Sequence, residues 1–390
     1  MKEKFRILNV LTVIEDGGME TLVSNIYEGL YSYDDFDFYT CSLVISDKTF
    51  VTEKLEKYSK ELFYLGVKNK NLSIKDYLNL FIKIFSLAKY ISDNKIDVVN
   101  SHDFFSGSYT RLAVLISRFI FFYKPKRNCV TLHNIFFWLN KKHHLINKFL
   151  SYSTDKIICV SRSVYEYSKE HDKINDNKYN IILNGIDENQ FIKDPGIKDY
   201  YKKEFNVSGN DFIIGNIGTL SIRKGHIYLV KAFKLLTDKF PNVKLLIFGS
   251  SRGHEQDVKN EVYNYVKENN LEQKIIFMDS RSDIRKIYNI FDIFVMSSVS
   301  EGLSLAAIEA MLMERLCVFS DIGPFRELIT DNVNGLLFKS KDHESLFYVL
   351  YNAVNNYKNY SDFGNKARME IISKYSYRNM IKQYYTMYKI

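Results

Sequence analysis

The chain has 390 residues, 46% of them hydrophobic and 26% charged, and a formal net charge of +8 at pH 7. That length accommodates two domains with separate cores, and that balance excludes a disordered chain. Cys41, Cys129, Cys159 and Cys317 share no short spacing, so a reducing compartment is expected rather than a zinc site or disulfide framework, and no apolar run nears the ~20 residues of a membrane span.

In chain order, the first ten residues lack the h-region and cleavage site of a signal peptide. Phe5 to Ile14 reads as a parallel strand, Asp16 to Glu20 as a tight turn and Thr21 to Leu30 as a helix. Gly17-Gly18 suits a plain turn, and equally a turn whose backbone approaches a phosphate. Asp35-Phe-Asp37 has a spacing found at metal sites, but it stands beside a second strand (Phe36 to Ile45) and reads as a solvated turn. A long amphipathic helix is expected from Asn69 to Asn94, then a strand from Ile96 to His102. Val130 to Asn134 is the next strand end, with His133 on it. Histidines at the C-terminal ends of parallel strands lie where α/β folds bind ligands, although backbone can also satisfy such a histidine.

The net charge has an address. From Phe104 to Thr154 stand eight Lys/Arg (Arg111, Arg118, Lys124, Lys126, Arg127, Lys141, Lys142, Lys148) and no acid; without them the chain has as many acidic as basic residues. Aromatic residues interleave with these cations, with clusters at Phe121-Phe122 and Phe137-Trp138. Such a surface can sit on anionic lipid headgroups. Nucleic acid would need the same composition, but no nucleic-acid motif accompanies it. The remaining reading is aromatic core under a solvated basic face.

Lys156 to Ser161 and the stretch before Asn184-Gly185-Ile186-Asp187 close the first domain, and Asn-Gly supports a turn. Alternation restarts with Phe212 to Gly218, whose glycines do not complete G-x-G-x-x-G. Arg223 and Lys224 then open a helix expected to reach about Phe240. Cations at a helix start oppose the macrodipole, a conflict that a bound anion relieves. A strand (Val243 to Gly249), a helix (Glu255 to Asn269), a strand (Lys274 to Met278) and a helix (Asp283 to Phe291) follow.

The chain is organised around Val295 to Val318. The apolar run Ile293 to Met296 ends a strand, Ser297 to Ser300 break it, and Glu301-Gly302-Leu303-Ser304 lead into a helix from Leu305. A strand end, a glycine turn and a helix N-terminus leave unpaired N–H groups suited to a phosphate. Glu301 and Glu309 would repel that phosphate. They are placed to accept hydrogen bonds from hydroxyls on either side of it, the pattern of a sugar nucleotide. Glu309 lies among Leu305, Ala306, Ala307, Ile308, Ala310 and Met311, where a carboxylate should be paired or used.

Glu301-x7-Glu309, Phe319-Ser-Asp-Ile-Gly323-Pro-Phe-Arg-Glu327 and Asn334-Gly335-Leu-Leu-Phe338 resemble the donor site of family 4 glycosyltransferases, and the resemblance extends over nearly the whole chain. It implies the α/β GT-B fold, two facing Rossmann-like domains with the active site in the interdomain cleft. Residues 1–190, completed by a C-terminal helix at 375–390, would bind the acceptor, and residues 191–374 the donor. It also implies a retaining, metal-independent transfer of a hexose-type sugar from a UDP- or GDP-sugar, with no cofactor. By the same resemblance Glu301 binds the donor sugar and Glu309 the ribose. Arg223, Lys224 and the backbone of Gly302, Leu303, Ser304 and Leu305 meet the diphosphate, which Gly17-Gly18 face from the first domain. His102 stands near the transferred sugar, and with His133 near the acceptor. The chain departs from the commonest form in having Thr219 where arginine is usual and Asp279 where glycine is usual. Arg223 is the substitute on offer for the first, and the second leaves the base unread.

The Lys-, Asn-, Ile- and Tyr-rich composition with four prolines suggests an AT-rich bacterial genome. Surface polysaccharide or glycolipid assembly is the expected setting. The protein would be cytoplasmic, peripheral on the inner face of the cell membrane, with a lipid-linked or saccharide acceptor and no nucleic acid. The rival readings are a sugar-nucleotide epimerase of the same fold and a non-catalytic glycan-binding or partner protein.

Overall fold

The computed structural model describes residues 4–67, 74–136, 139–249 and 256–389, with only the backbone of residues 74–78. The chain divides into two compact units, Met1–Gly185 with Tyr377–Ile390, and Ile186–Ser376. The divisions fall at Gly185 and Ser376 rather than at the expected 190 and 374, so Asn184-Gly185-Ile186-Asp187 straddles the first of them.

In the first unit the strands are β1 (Phe5–Leu11), β2 (Phe36–Ser42), β3 (Ser59–Tyr64), β4 (Val98–His102), β5 (Arg127–Leu132), β6 (Lys156–Cys159) and β7 (Tyr179–Ile181). They form one parallel sheet in the order β3-β2-β1-β4-β5-β6-β7. Parallel neighbours need crossovers. These are α1 (Gly18–Tyr31), α2 (Phe50–Tyr58), α3 (Ile74–Asp93), α4 (Asp103–Phe119), α5 (Lys141–Leu150) and α6 (Arg162–Asp172). One core cluster joins Leu8, Val10 and Val99 of the sheet to Leu87, Ile91 and Ala113 of α3 and α4.

The second unit opens with α7 (Ile197–Glu204). Its strands are β8 (Phe212–Ile217), β9 (Val243–Phe248), β10 (Ile275–Met278), β11 (Ile293–Met296), β12 (Leu316–Ser320) and β13 (Leu336–Phe338), parallel in the order β10-β9-β8-β11-β12-β13. Its helices continue with α8 (His226–Thr237), α9 (Gln256–Glu268), α10 (Ile284–Ile287), α11 (Leu305–Leu312), α12 (Gly323–Arg326), α13 (His343–Asn355) and α14 (Phe363–Lys374). The core joins Leu229 and Phe233 of α8 to Leu245, Val295 and Val318 of the sheet.

The last helix, α15 (Tyr377–Tyr388), belongs to the first unit. There Tyr377 donates to the Asn25 carbonyl at 2.8 Å, and Asn100 donates to the Tyr388 hydroxyl at 3.0 Å. Tyr385 and Lys389 donate to Asp35 at 2.5 and 3.2 Å. Asp35-Phe-Asp37 is therefore not a solvated turn. Asp35 is nearly buried under α15, and Asp37 lies within β2.

Two expected helices are shortened by local chemistry. Arg223 and Lys224 lie on a 3-10 turn (Ile222–Lys224), and α8 starts only after Gly225, whose φ of 60° interrupts the helix. The expected helix over Asp283 to Phe291 is α10 followed by a 3-10 turn (Tyr288–Ile290). The expected starts at Asn69 and Glu255 lie outside the described residues. Among the described residues no helix is long and apolar enough to cross a membrane.

Open parallel sheets bind ligands beyond the carboxyl ends of their strands, at the point where strand order reverses. Those points lie between β1 and β4 in one unit and between β8 and β11 in the other.

Candidate functional site

At the β8/β11 switch point, two loops of the second unit are fastened together. Val299 N–H donates to the Arg223 carbonyl at 2.7 Å, and the Ser297 hydroxyl to the Lys224 carbonyl at 3.0 Å. A Cβ on Gly225 would sit 2.3 Å from the Ser297 carbonyl oxygen, so both its φ and this close approach demand glycine. Behind the turn, His226 donates from Nε2 to Asn216 Oδ1 at 3.1 Å, and Asn216 donates to the Val295 carbonyl at 2.8 Å. Burial, then the neighbouring Lys224, pushes the His226 imidazole down to about 3, so it is neutral.

This frame holds Lys224 Nζ 2.6 Å from Glu301 Oε1. The two side chains are 14% and 5% exposed, so the pair is sheltered from water. Ser298 also donates to Glu301 Oε1, at 2.7 Å. Burial raises the Glu301 carboxyl, but Lys224 and Arg223 with these hydrogen bonds outweigh it and hold the group below the usual carboxylate range. Gly302, Leu303 and Ser304 are buried, and Ser304 caps α11 by accepting from Ala307 N–H at 3.4 Å. One turn on, Glu309 accepts from the Tyr288 hydroxyl at 2.9 Å. Burial raises its carboxyl to about 7 despite that bond and the charge of Arg285. Sequence reasoning thus named Arg223, Lys224, Glu301, Gly302 to Leu305 and Glu309, and the structure brings them to one strand-end region. It missed Ser297, Ser298 and Tyr288. The serines were legible only as a break after β11, and Tyr288 carried no local signal.

At the β1/β4 switch point of the first unit, His102 Nδ1 is 2.9 Å from His133 Nε2, and His102 Nε2 is 2.9 Å from Asn9 Oδ1. An amide oxygen only accepts, so His102 carries its proton on Nε2 and receives one from His133. Both rings are neutral: burial pushes His133 down to about 3, and burial with His133 beside it holds His102 well below the ordinary range. His102 is 0% exposed with both ring nitrogens taken, so it reaches a substrate only by exchanging a partner, whereas His133 is 7% exposed. Asp103, left-handed at φ 73°, accepts from His133 N–H at 2.9 Å and ties the β5 end to the β4 end. Asn9 and Asp103 were missed as parts of this network; a polar Asn9 inside a buried strand was the available signal. Gly17 and Gly18 occupy the N-cap and first position of α1, with no side-chain cap and without the positive φ of a special turn.

The basic segment separates into structural and exposed parts. Arg111 is buried, donating to the Gly107 carbonyl at 2.9 Å and to Asn147 Oδ1 at 2.6 Å. Lys126 pairs with Asp97 at 2.8 Å, and Arg127 donates to the Met387 carbonyl. Arg118, Lys124, Lys141, Lys142 and Lys148 are exposed, as is Lys126 despite its ion pair. Phe121 packs on the core against Phe85, while Phe122 is 90% exposed; Phe137-Trp138 lies outside the described residues. Helix α5 has its polarity reversed. Asn147 is buried and donates to Asp172 at 2.6 Å, whereas Leu145, Ile146 and Phe149 are exposed beside the lysines.

Family models match both units: "Glycosyltransferase Family 4" over residues 16–190 and "Glycosyl transferases group 1" over residues 198–370. The chain is 24% identical over 359 residues to the Escherichia coli UDP-Gal:alpha-D-GlcNAc-diphosphoundecaprenol alpha-1,3-galactosyltransferase, covering 89% of this chain and 87% of that one. It is 30% identical over 178 residues to the Staphylococcus aureus poly(ribitol-phosphate) alpha-N-acetylglucosaminyltransferase, 45% of this chain and 35% of that one. Anabaena HepE, solved with UDP-glucose, has the same fold, with a TM-score of 0.84 at 18% identity over 99% of this chain and 100% of that one. Sucrose-phosphate synthase from Thermosynechococcus elongatus does too, with a TM-score of 0.80 at 15% identity over 99% and 98%. With parallel sheets and fastened loops of this kind in a chain so matched, the protein belongs to the family 4 glycosyltransferases, of the GT-B fold.

Proposed function

We propose that the protein moves a hexose-type sugar from a UDP- or GDP-sugar to an acceptor hydroxyl, with retention at the anomeric carbon, in bacterial surface polysaccharide or glycolipid assembly. The observation that carries this is the sheltered Lys224–Glu301 pair at a strand switch point beside the N-terminus of α11. The anomeric C–O bond to the leaving diphosphate breaks, and a new one forms to the acceptor oxygen on the same face. The acceptor's proton goes to the leaving phosphate oxygen, so no side-chain nucleophile is required. Arg223, Lys224 and the N–H groups from Gly302 to Leu305 stabilise the charge that develops on that diphosphate, without a metal ion. Glu301, kept ionised by Lys224, accepts from hydroxyls of the transferred sugar, and Glu309 from those of the ribose. His133, with His102 behind it, serves the acceptor as a neutral hydrogen-bonding group. The names of the relatives, one using UDP-Gal with a diphosphoundecaprenol acceptor, support the donor class and a lipid-linked acceptor.

A lipid-linked acceptor calls for a membrane-facing surface. Exposed Phe119, Phe122, Leu145, Phe149 and Tyr152, with six exposed cations, suit the first unit to an anionic inner leaflet. Incubation with a panel of UDP- and GDP-hexoses, with and without undecaprenyl-diphosphate sugars, tests the proposal. Nucleotide release that accelerates with acceptor is expected. Epimerised donor without acceptor dependence would instead indicate the epimerase reading, and neither binding nor release a non-catalytic partner.

A further inference from the structure

The Tyr288 side chain is fully buried, its ring against Phe291 and Phe294 with centroids 5.9 and 5.4 Å away. Its hydroxyl is the only polar part and lies between two acceptors, the Ala306 carbonyl at 3.1 Å and Glu309 Oε2 at 2.9 Å. One hydroxyl has one proton, so it can serve only one of them at a time. The Ala306 carbonyl lies within α11, whose own ladder can satisfy it. An ionised carboxylate is the stronger acceptor and otherwise lacks a hydrogen-bond donor here, since among the described residues the Glu309 side chain has no other hydrogen bond. The phenol therefore donates to Glu309 whenever that group is charged.

We propose that Tyr288 is a positioning residue: it holds Glu309 through Oε2 and so presents the other carboxylate oxygen to the paired hydroxyls of the donor's ribose. The inference rests on the nucleotide-sugar reading above. Ring packing makes the phenol rigid, and a rigid donor fixes an otherwise free glutamate rotamer before the ligand arrives. Without it the carboxylate must be ordered at each binding event. A proton linkage accompanies the geometry. Burial raises Glu309 to about 7, while the Tyr288 hydrogen bond and Arg285, on α10, pull it back toward the ionised form. Arg368, on the α14 helix that packs against α11, is directed instead at the Phe191 and Leu312 carbonyls.

The test is calorimetric binding of UDP and GDP and of their 2′,3′-dideoxy forms to the wild type, Tyr288→Phe, Glu309→Gln and the double variant, between about pH 6 and pH 8.5. Tyr288→Phe keeps the ring, so the core packing survives. The ribonucleotide that binds the wild type should bind Tyr288→Phe about tenfold more weakly, the cost of one hydrogen bond to a charged group. The dideoxy nucleotide should bind both alike. The pH below which ribonucleotide binding weakens should rise in Tyr288→Phe, because a bond favouring the ionised carboxylate is gone. The dideoxy form carries the same phosphates and removes their titration from the comparison. In the Glu309→Gln background the Tyr288 substitution should add little. Equal weakening of both nucleotide forms would make Tyr288 merely structural and overturn the proposal, as would an unmoved pH limb. If the wild type binds ribo and dideoxy forms equally, Glu309 does not read the ribose, and this inference falls while the donor reading stands. If neither UDP nor GDP binds, the donor reading falls and takes this inference with it.

Discussion

Replacing Lys224 by methionine keeps the side-chain stem and deletes its charge. The structure makes two separable demands on that charge. It stabilises Glu301, whose side chain is 5% exposed, and it lies where the leaving diphosphate is proposed to bind. Removing one partner of a buried pair costs about 3 kcal/mol or more. Losing a preorganised contact to charge developing in the transition state also costs about 3 kcal/mol, a little over a hundredfold in rate. Transfer by Lys224→Met should therefore fall by at least two orders of magnitude in a folded protein. The stability loss has a pH signature. The wild-type Glu301 carboxyl is held below 4.5, so its contribution is present above that pH and is lost as pH falls through the folded-state value. In Lys224→Met the largest of the lowering influences is gone and only Arg223 and Ser298 oppose burial, so the folded value rises and less of that contribution remains. The stability gap between the two proteins should widen as pH rises above the wild-type folded-state value, as read by urea unfolding at each pH. Lys224→Met/Glu301→Gln should recover most of that stability and none of the activity. Near-normal turnover by Lys224→Met would refute the diphosphate assignment. A stability gap that narrows with rising pH would refute the buried ion pair.

Transfer should persist in EDTA, because Arg223, Lys224 and backbone donors are assigned to the leaving diphosphate; loss of turnover restored by Mg²⁺ or Mn²⁺ would refute that assignment. The protein should cosediment with anionic but not neutral vesicles, more weakly at high salt, since exposed charges act over about 8 Å at physiological ionic strength. Serine at 118, 124, 141, 142 and 148 should release it without changing donor hydrolysis. Lys126 and Arg127 are poor choices for that variant because they hold Asp97 and the Met387 carbonyl. Asn147→Ala strips partners from buried Arg111 and from Asp172 together, and should cost about 2–3 kcal/mol in urea unfolding.

Apolar runs and strand-end signals made most of the fold legible. Ile293 to Met296 became β11 with unchanged bounds, because a short run bounded by serines has one buried arrangement in a parallel sheet. The start of α8 was not legible, since Gly225 acts through a carbonyl seventy-odd residues away at Ser297, a contact no local pattern contains. The segment from Phe104 to Thr154 misled in part for the same reason. Eight cations look alike in sequence, but long-range partners such as Asn147 and the Met387 carbonyl decide which are structural. Of the site, Glu309 was legible as a carboxylate among apolar neighbours. Tyr288 was not, because tyrosine in an apolar stretch is ordinary and its meaning comes from a helix two elements later.

The last helix has a consequence for how the protein is made. Asn9, which accepts from His102, also accepts from Tyr388 at 3.3 Å, so α15 contributes to the histidine network of a unit whose other residues precede it by almost two hundred positions. Domains ordinarily finish folding in the order of their synthesis. Here Ile186–Ser376 is emitted whole while the earlier unit still lacks a piece, so the unit begun first is completed last. During translation the face that awaits Tyr384 and Tyr388 stays uncovered, and a chain stopped at Ser376 would leave the sheet without the helix that steadies Asn9. The hydrogen bonds that converge on Asn9 therefore come together only once residues 377–388 have been added.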